Sequence, residues 1–129
     1  MRTQLKLTRD GDAFTARLAP SQVSAMYEAL SFLRHRDFDD TVLTVLVGAC
    51  RDAVDALLER LVGPHTESRD FRFTTLELHM VHSALTAAPT MFLVREGAFS
   101  EEPFHIRLGF YRENFDALAH AVVRAATEA

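Results

Sequence analysis

Polar and apolar residues alternate in two short runs near the start of the chain, TQLKLT at residues 3–8 and AFTARL at residues 13–18. Arg9-Asp10-Gly11-Asp12 lies between them. A period of two indicates strands with one buried face, and Asp-Gly between two such runs is typical of a hairpin turn. The pattern therefore predicts a β-hairpin over residues 3–18.

Four longer segments carry apolar residues at the three- and four-residue spacings of an amphipathic helix. Pro20 suits a first helical position, because its fixed φ fits there and its missing N–H is not needed. Thr74-Thr75-Leu76-Glu77 has the Thr-x-x-Glu spacing of a capping box, and Gly63-Pro64 is a stop signal. We predict helices over about residues 20–34, 50–62, 75–88 and 111–126.

Residues 45–62, VLVGACRDAVDALLERLV, return 61 positions later as IRLGFYRENFDALAHAVV. A shift of 55 likewise places the apolar stripe of the third predicted helix on that of the first. The chain therefore reads as one domain, residues 1–129, with an internal repeat of residues 13–62 and 70–125. Six matched positions are predicted to be structural: Gly48, Gly109, Asp55, Asp116, Leu57 and Leu118.

The segment 42–47 (VLTVLV) fits either a strand or a backward extension of the next helix. Its counterpart 104–108 (FHIRL) follows Pro103 and alternates, which favours a strand in both copies. With further strands at the hairpin and at 71–73, the expected fold is α+β. It is a two-layer sandwich with a mixed sheet of about five strands packed with four helices, and a strand–helix–strand–helix unit made twice. Residues 89–98 fit a short strand or a loop.

Composition excludes several classes of function. A net charge of −4 argues against non-specific nucleic-acid binding, which needs clustered basic charge. No apolar run approaches the ~18 residues of a membrane helix, and the first ten residues are too polar for a signal peptide. A cytoplasmic protein that does not bind membranes is the expectation.

Residues that could carry catalysis or bind a metal have simpler structural explanations. Cys50 could be an activated thiol at a helix start, but Tyr111 holds the matched position, so a buried, inert cysteine is expected. His79 and His82 could share a metal, although their apolar neighbours favour half-buried packing. We therefore predict no catalytic residue, no metal site and no cofactor.

Four arginines recur at matched positions, Arg51 with Arg112 and Arg17 with Arg72. One explanation is structural: each helical arginine can pair with the aspartate four residues later. The other explanation is functional: the four guanidinium groups could converge to hold an anion. Both remain open from the sequence.

Residues 89–104 interrupt the repeat, and we call them the interrupting segment. This segment is the candidate protein-binding surface, since insertions in surface connections often carry function. We expect at least two of its large apolar side chains to be exposed in the monomer within an acidic rim, or to be buried only by a second chain. A loop packed into the core would have the same sequence pattern. The candidate residues are Met91, Phe92, Leu93, Phe99, Glu101 and Glu102.

The repeated pattern of strand, glycine and Arg-(Asp/Glu)-x-x-Asp-Ala-Leu resembles small bacterial α/β immunity proteins of polymorphic-toxin systems. The resemblance implies a cytoplasmic, non-enzymatic protein that neutralises or docks onto a protein partner. Non-catalytic protein binding, as an inhibitor or adaptor, is therefore the leading expectation. The alternatives are a small enzyme or ligand-binding domain with a cleft between the repeats, and a homodimer.

Overall fold

The computed structural model describes residues 1–64, 66–93 and 97–129. Within these ranges the fold is α+β, with six α-helices and a three-stranded antiparallel sheet, so the expectation of five strands and four helices is wrong. The elements in chain order are β1 (Thr8–Asp10), β2 (Ala13–Leu18), α1 (Pro20–Arg34), α2 (Asp40–Val47), α3 (Arg51–Leu61), β3 (Arg69–Thr74), α4 (Thr75–Ala87), a 3₁₀ helix (Ala88–Phe92), α5 (Glu101–Leu108) and α6 (Arg112–Glu128).

The sheet has the order β1-β2-β3. Asp10 pairs with Ala13, so the hairpin loop is Gly11-Asp12, and Gly11 supplies the positive φ of 65° that such a tight turn requires. The first strand is shorter than its alternation predicts, since it begins only at Thr8. β2 pairs with β3 along its whole length, with Phe14 opposite Phe73.

The predicted strand 42–47 is helical. The Asp39 side chain accepts a hydrogen bond from the Val42 N–H at 2.9 Å, which caps α2. Leu43 and Val47, one turn apart, are buried, whereas Val42 and Val45 are exposed. One apolar face of this segment therefore packs on the core, and the other is exposed to solvent.

The predicted strand 104–108 is helical for a similar reason. Pro103 lies in the first turn of α5, where no intrahelical N–H is required, so it does not exclude a helix. Phe104 and Leu108 are buried one turn apart, and Ile106 is exposed. The expected strand–helix–strand–helix unit is therefore wrong, because its second strand is a short helix in both halves.

Apart from β1 and the 3₁₀ helix, the observed element order is nevertheless the same in both halves: one strand, a long helix, a short helix and a third helix. Gly48 and Gly109 end the short helices with the same φ of 78°, and their N–H groups bond to Thr44 O and His105 O. Leu57 and Leu118 are both buried.

The two halves contact each other through both their long and their short helices. The long helices α1 and α4 contact each other, α3 packs on α1, and α6 packs on α4. Each short helix packs on the long helix of the other half: α2 packs on α4, and α5 packs on α1. A single hydrophobic core results, with Met26, Phe73 and Phe104 among its largest fully buried side chains.

Candidate functional site

The four recurrent arginines are all engaged in ion pairs. Each is paired with a carboxylate in its own neighbourhood: Arg17 with Asp70 and Arg72 with Asp10, both at 3.1 Å, Arg51 with Asp40 at 2.6 Å, and Arg112 with Asp116 at 3.7 Å. Only the last pair has the predicted four-residue spacing. Each guanidinium therefore has a carboxylate partner, and Arg17 and Arg72 line one shallow pocket beside the sheet.

Asp55 serves a different partner from the one its spacing predicts. Arg34 of α1 donates from Nε and Nη2 to its two carboxylate oxygens, at 2.6 and 3.1 Å. This bidentate hydrogen bonding holds the pKa of the Asp55 carboxyl below its usual range and raises the pKa of Arg34. The pair joins α3 to α1.

The interrupting segment is more buried than we expected. Phe92 stacks on Phe32 at 5.2 Å between ring centroids, and Phe99 meets Phe104 edge-on at 5.3 Å. Met91, Phe92 and Phe99 are half-buried against the core, so only Leu93 of the four candidate apolar side chains is exposed. Glu101 and Glu102 are exposed in the first turn of α5. Residues 94–96 lie outside the described ranges.

Cys50 is exposed, so the expectation of a buried thiol is wrong. It is the residue before α3, at the turn between two helices, where the side chain is directed away from the core. Tyr111 at the matched position is exposed too, and its ring stacks on His105 at 4.3 Å.

His79 is exposed and His82 is half-buried. Within the described ranges, no three histidine, cysteine or acidic side chains are placed to hold a metal ion.

Two apolar surfaces that the sequence did not indicate lie where a short helix meets the next helix. We call them the α2 corner (Val42, Val45 and Cys50) and the α5 corner (Pro103, Ile106 and Tyr111). The three positions correspond one to one in the repeat, and all six side chains are exposed. Val45 and Ile106 are the most exposed of the large apolar residues described, at 80% and 75%. The sequence signal for the α2 corner is the apolar character of both faces in VLTVLV, which we interpreted as a strand.

A basic groove of about 760 Å³ lies between α6 and residues 2–6, which we call the N-terminal segment. Cationic side chains line it from both sides: Arg2 and Lys6 on the segment, Arg17 on β2, and Arg124 on α6. Glu128 is its one carboxylate among the described residues, and it pairs with Arg124 at 3.1 Å. His120 completes the polar lining.

Comparisons with known proteins identify no relative of this chain: no family model matches, and neither curated proteins nor solved structures give a match. Among the described residues, no helix is both long and apolar enough to cross a membrane.

Proposed function

We propose that this chain is a non-catalytic protein-binding domain of the cytoplasm, and that it docks onto its partner through the α2 and α5 corners. The observation that carries the proposal is the exposure of Val45 and Ile106 at matched positions. Single exposed apolar residues are common on soluble proteins. Here the exposure occurs at three matched positions in both halves, which supports a binding surface over scattered single residues.

Both corners are anchored to the core, and a surface that is ordered before binding has a lower entropic cost of binding. Each short helix ends at a glycine in the left-handed conformation and is anchored by two buried side chains one turn apart. Val42 and Val45 lie three residues apart on α2 and therefore share a face. Acidic residues at the helix starts, Asp40 on α2 and Glu101 on α5, provide a polar rim of the kind that surrounds apolar interface centres.

The alternative functions have less support. A second copy that added a strand to β3 would have to displace Arg60, whose guanidinium donates to the Arg72 carbonyl and also pairs with Glu77. An enzyme that used Cys50 would need a base beside its thiol, and the Cys50 thiol forms no side-chain hydrogen bond or ion pair with any described residue.

The test is a comparison of two double variants. Val45→Ser with Ile106→Ser removes the most exposed residue of each corner. Val62→Ser with Val123→Ser is the matched control, because these valines also correspond in the repeat and are 49% and 50% exposed. Each protein is immobilised at equal density and exposed to host lysate, and the retained proteins are quantified by mass spectrometry. Circular dichroism establishes that both variants are folded.

We expect a specific protein that is retained by the wild type and the control but lost from the corner variant. Full burial of an aliphatic side chain contributes about 1.5–3 kcal/mol, so each substitution should weaken binding at least about tenfold. Retention of the same proteins by both variants would overturn the proposal. Sedimentation velocity detects the remaining case, in which the docked partner is a second copy of this chain.

A further inference from the structure

We propose that the basic groove between the N-terminal segment and α6 binds an acidic polypeptide segment through its carboxylates. The proposal goes beyond docking at the two corners and uses none of their residues. It would give the protein a second, electrostatic recognition site, and it rests on the charge, the buried polar group and the lining of the groove.

Charge is unevenly distributed in this acidic chain. Four of its 14 arginine and lysine residues line the groove, against one of its 18 acidic residues. Arg2 and Lys6 form no ion pair with any described residue, so their charges are available to a ligand. A concentration of one sign of charge in a cleft raises the local concentration of oppositely charged partners.

A buried amide is built into the wall of the groove. Gln22 is only 1% exposed, yet it is among the lining residues. Its Oε1 accepts from the Ala19 N–H at 2.8 Å, and its Nε2 donates to the Gln4 carbonyl at 2.7 Å. This second bond holds the N-terminal segment in place as one side of the groove. Because a side-chain amide has two N–H groups, the second N–H of Gln22 is left without a partner among the described residues.

The lining favours a polypeptide over a nucleic acid. Single strands of DNA or RNA are held by aromatic rings that stack on the bases, and no phenylalanine or tyrosine lines the groove in the part of the chain that the structure describes. Ala117 and Ala121 of α6 leave space between the cationic side chains. Arginine and lysine on both sides suit carboxylates spaced along an extended chain.

The probe is a fluorescein-labelled peptide of ten glutamates, titrated with the full chain and followed by fluorescence anisotropy. A peptide of ten glutamines and a ten-nucleotide thymidine strand are the comparison ligands. We expect the glutamate peptide to bind more tightly than either, with an affinity that falls as salt is raised. Absence of measurable glutamate-peptide binding at low salt, or tighter binding of the thymidine strand, would overturn the proposal.

Variants then locate the binding. Arg2→Gln with Lys6→Gln should weaken glutamate-peptide binding about tenfold, since two charge contacts are lost. Arg36→Gln with Arg107→Gln is the control, because it removes the same charge from exposed arginines outside the groove. We expect the control to change the affinity less than about twofold. Equal losses in both double variants would mean that only net charge matters, and the groove would not be the site.

Discussion

At the scale of single residues, the two glycines that end α2 and α5 differ in their surroundings although their backbones agree. A Cβ on Gly48 would lie 2.7 Å from two atoms of the His79 ring, whereas a Cβ on Gly109 would have no atom within 4 Å. Both substitutions carry the strain of a left-handed conformation, about 1–2 kcal/mol. Gly48→Ala carries a steric contact in addition.

We therefore predict that Gly48→Ala lowers the free energy of unfolding more than Gly109→Ala does. Urea denaturation of both variants measures the difference. Because the His79 ring is exposed, it can move aside, so the excess should be modest. His79→Ala in the Gly48→Ala background should remove that excess. An excess that survives His79→Ala would mean that something other than the ring opposes the new methyl group.

Cys50 provides a second test at this scale. Its side chain is exposed, so a thiol reagent should label the native protein at a rate close to that of the urea-unfolded chain. Cys50→Ala should change the free energy of unfolding by less than about 0.5 kcal/mol, as expected of an exposed position. Labelling that requires unfolding would show that the thiol is covered, and the α2 corner would then be smaller than described.

At the scale of elements, the two short helices begin differently. The Asp39 carboxylate accepts from the Val42 N–H, whereas Ser100, the residue before α5, makes no side-chain capping bond. Asp39→Ala should therefore lower the free energy of unfolding by about 1 kcal/mol, and Ser100→Ala should leave it nearly unchanged. Thermal denaturation of both variants checks this. Equal losses would mean that the cap of α2 contributes no more than the helix start of α5.

The same two helices, α2 and α5, are the elements that the sequence did not predict correctly. The predicted helix 20–34 has the bounds of α1, because Pro20 and a regular apolar stripe identify it locally. The segment 42–47 could not be assigned in the same way, because β-branched valines at Val42 and Val45 look identical whether a second face is buried or exposed. Exposure depends on what packs nearby, and α2 packs on α4, which is distant in sequence. For this reason the two corners could not be predicted.

The charged residues show the same limit. The sequence indicates that Asp55 needs a cation and offers Arg51 one turn away, a local partner. The structure provides Arg34 from another helix, because α3 packs on α1. The groove depends on the tertiary fold too, since Lys6 and Arg124 are brought together only when α6 packs beside the N-terminal segment.

At the scale of the whole molecule, the pair of Arg34 and Asp55 makes stability depend on pH. The pKa of Asp55 is lowered in the folded state, so its contribution is present above the unfolded pKa of about 4 and is lost as the pH falls through the folded pKa. Nearly half of the Asp55 side chain is exposed, which limits the contribution to about 1 kcal/mol. Asp55→Asn should therefore destabilise the protein at pH 7, and its difference from wild type should shrink below pH ~4 in urea denaturation. A difference independent of pH would assign the effect to packing.

The packing of each short helix on the long helix of the other half is relevant to the evolutionary origin of the chain. In a polypeptide that carried only the first half, α1 would lack the short helix α5 that packs on it in the intact chain. A second copy of that half could supply its own short helix instead. The present chain therefore has the arrangement expected if two subunits of an ancestral homodimer had been joined by gene fusion. Fragments separated in the connection between α3 and β3, when expressed together, should reassemble into a complex with the circular dichroism spectrum of the intact protein. Each fragment expressed alone should be unfolded or should pair with itself.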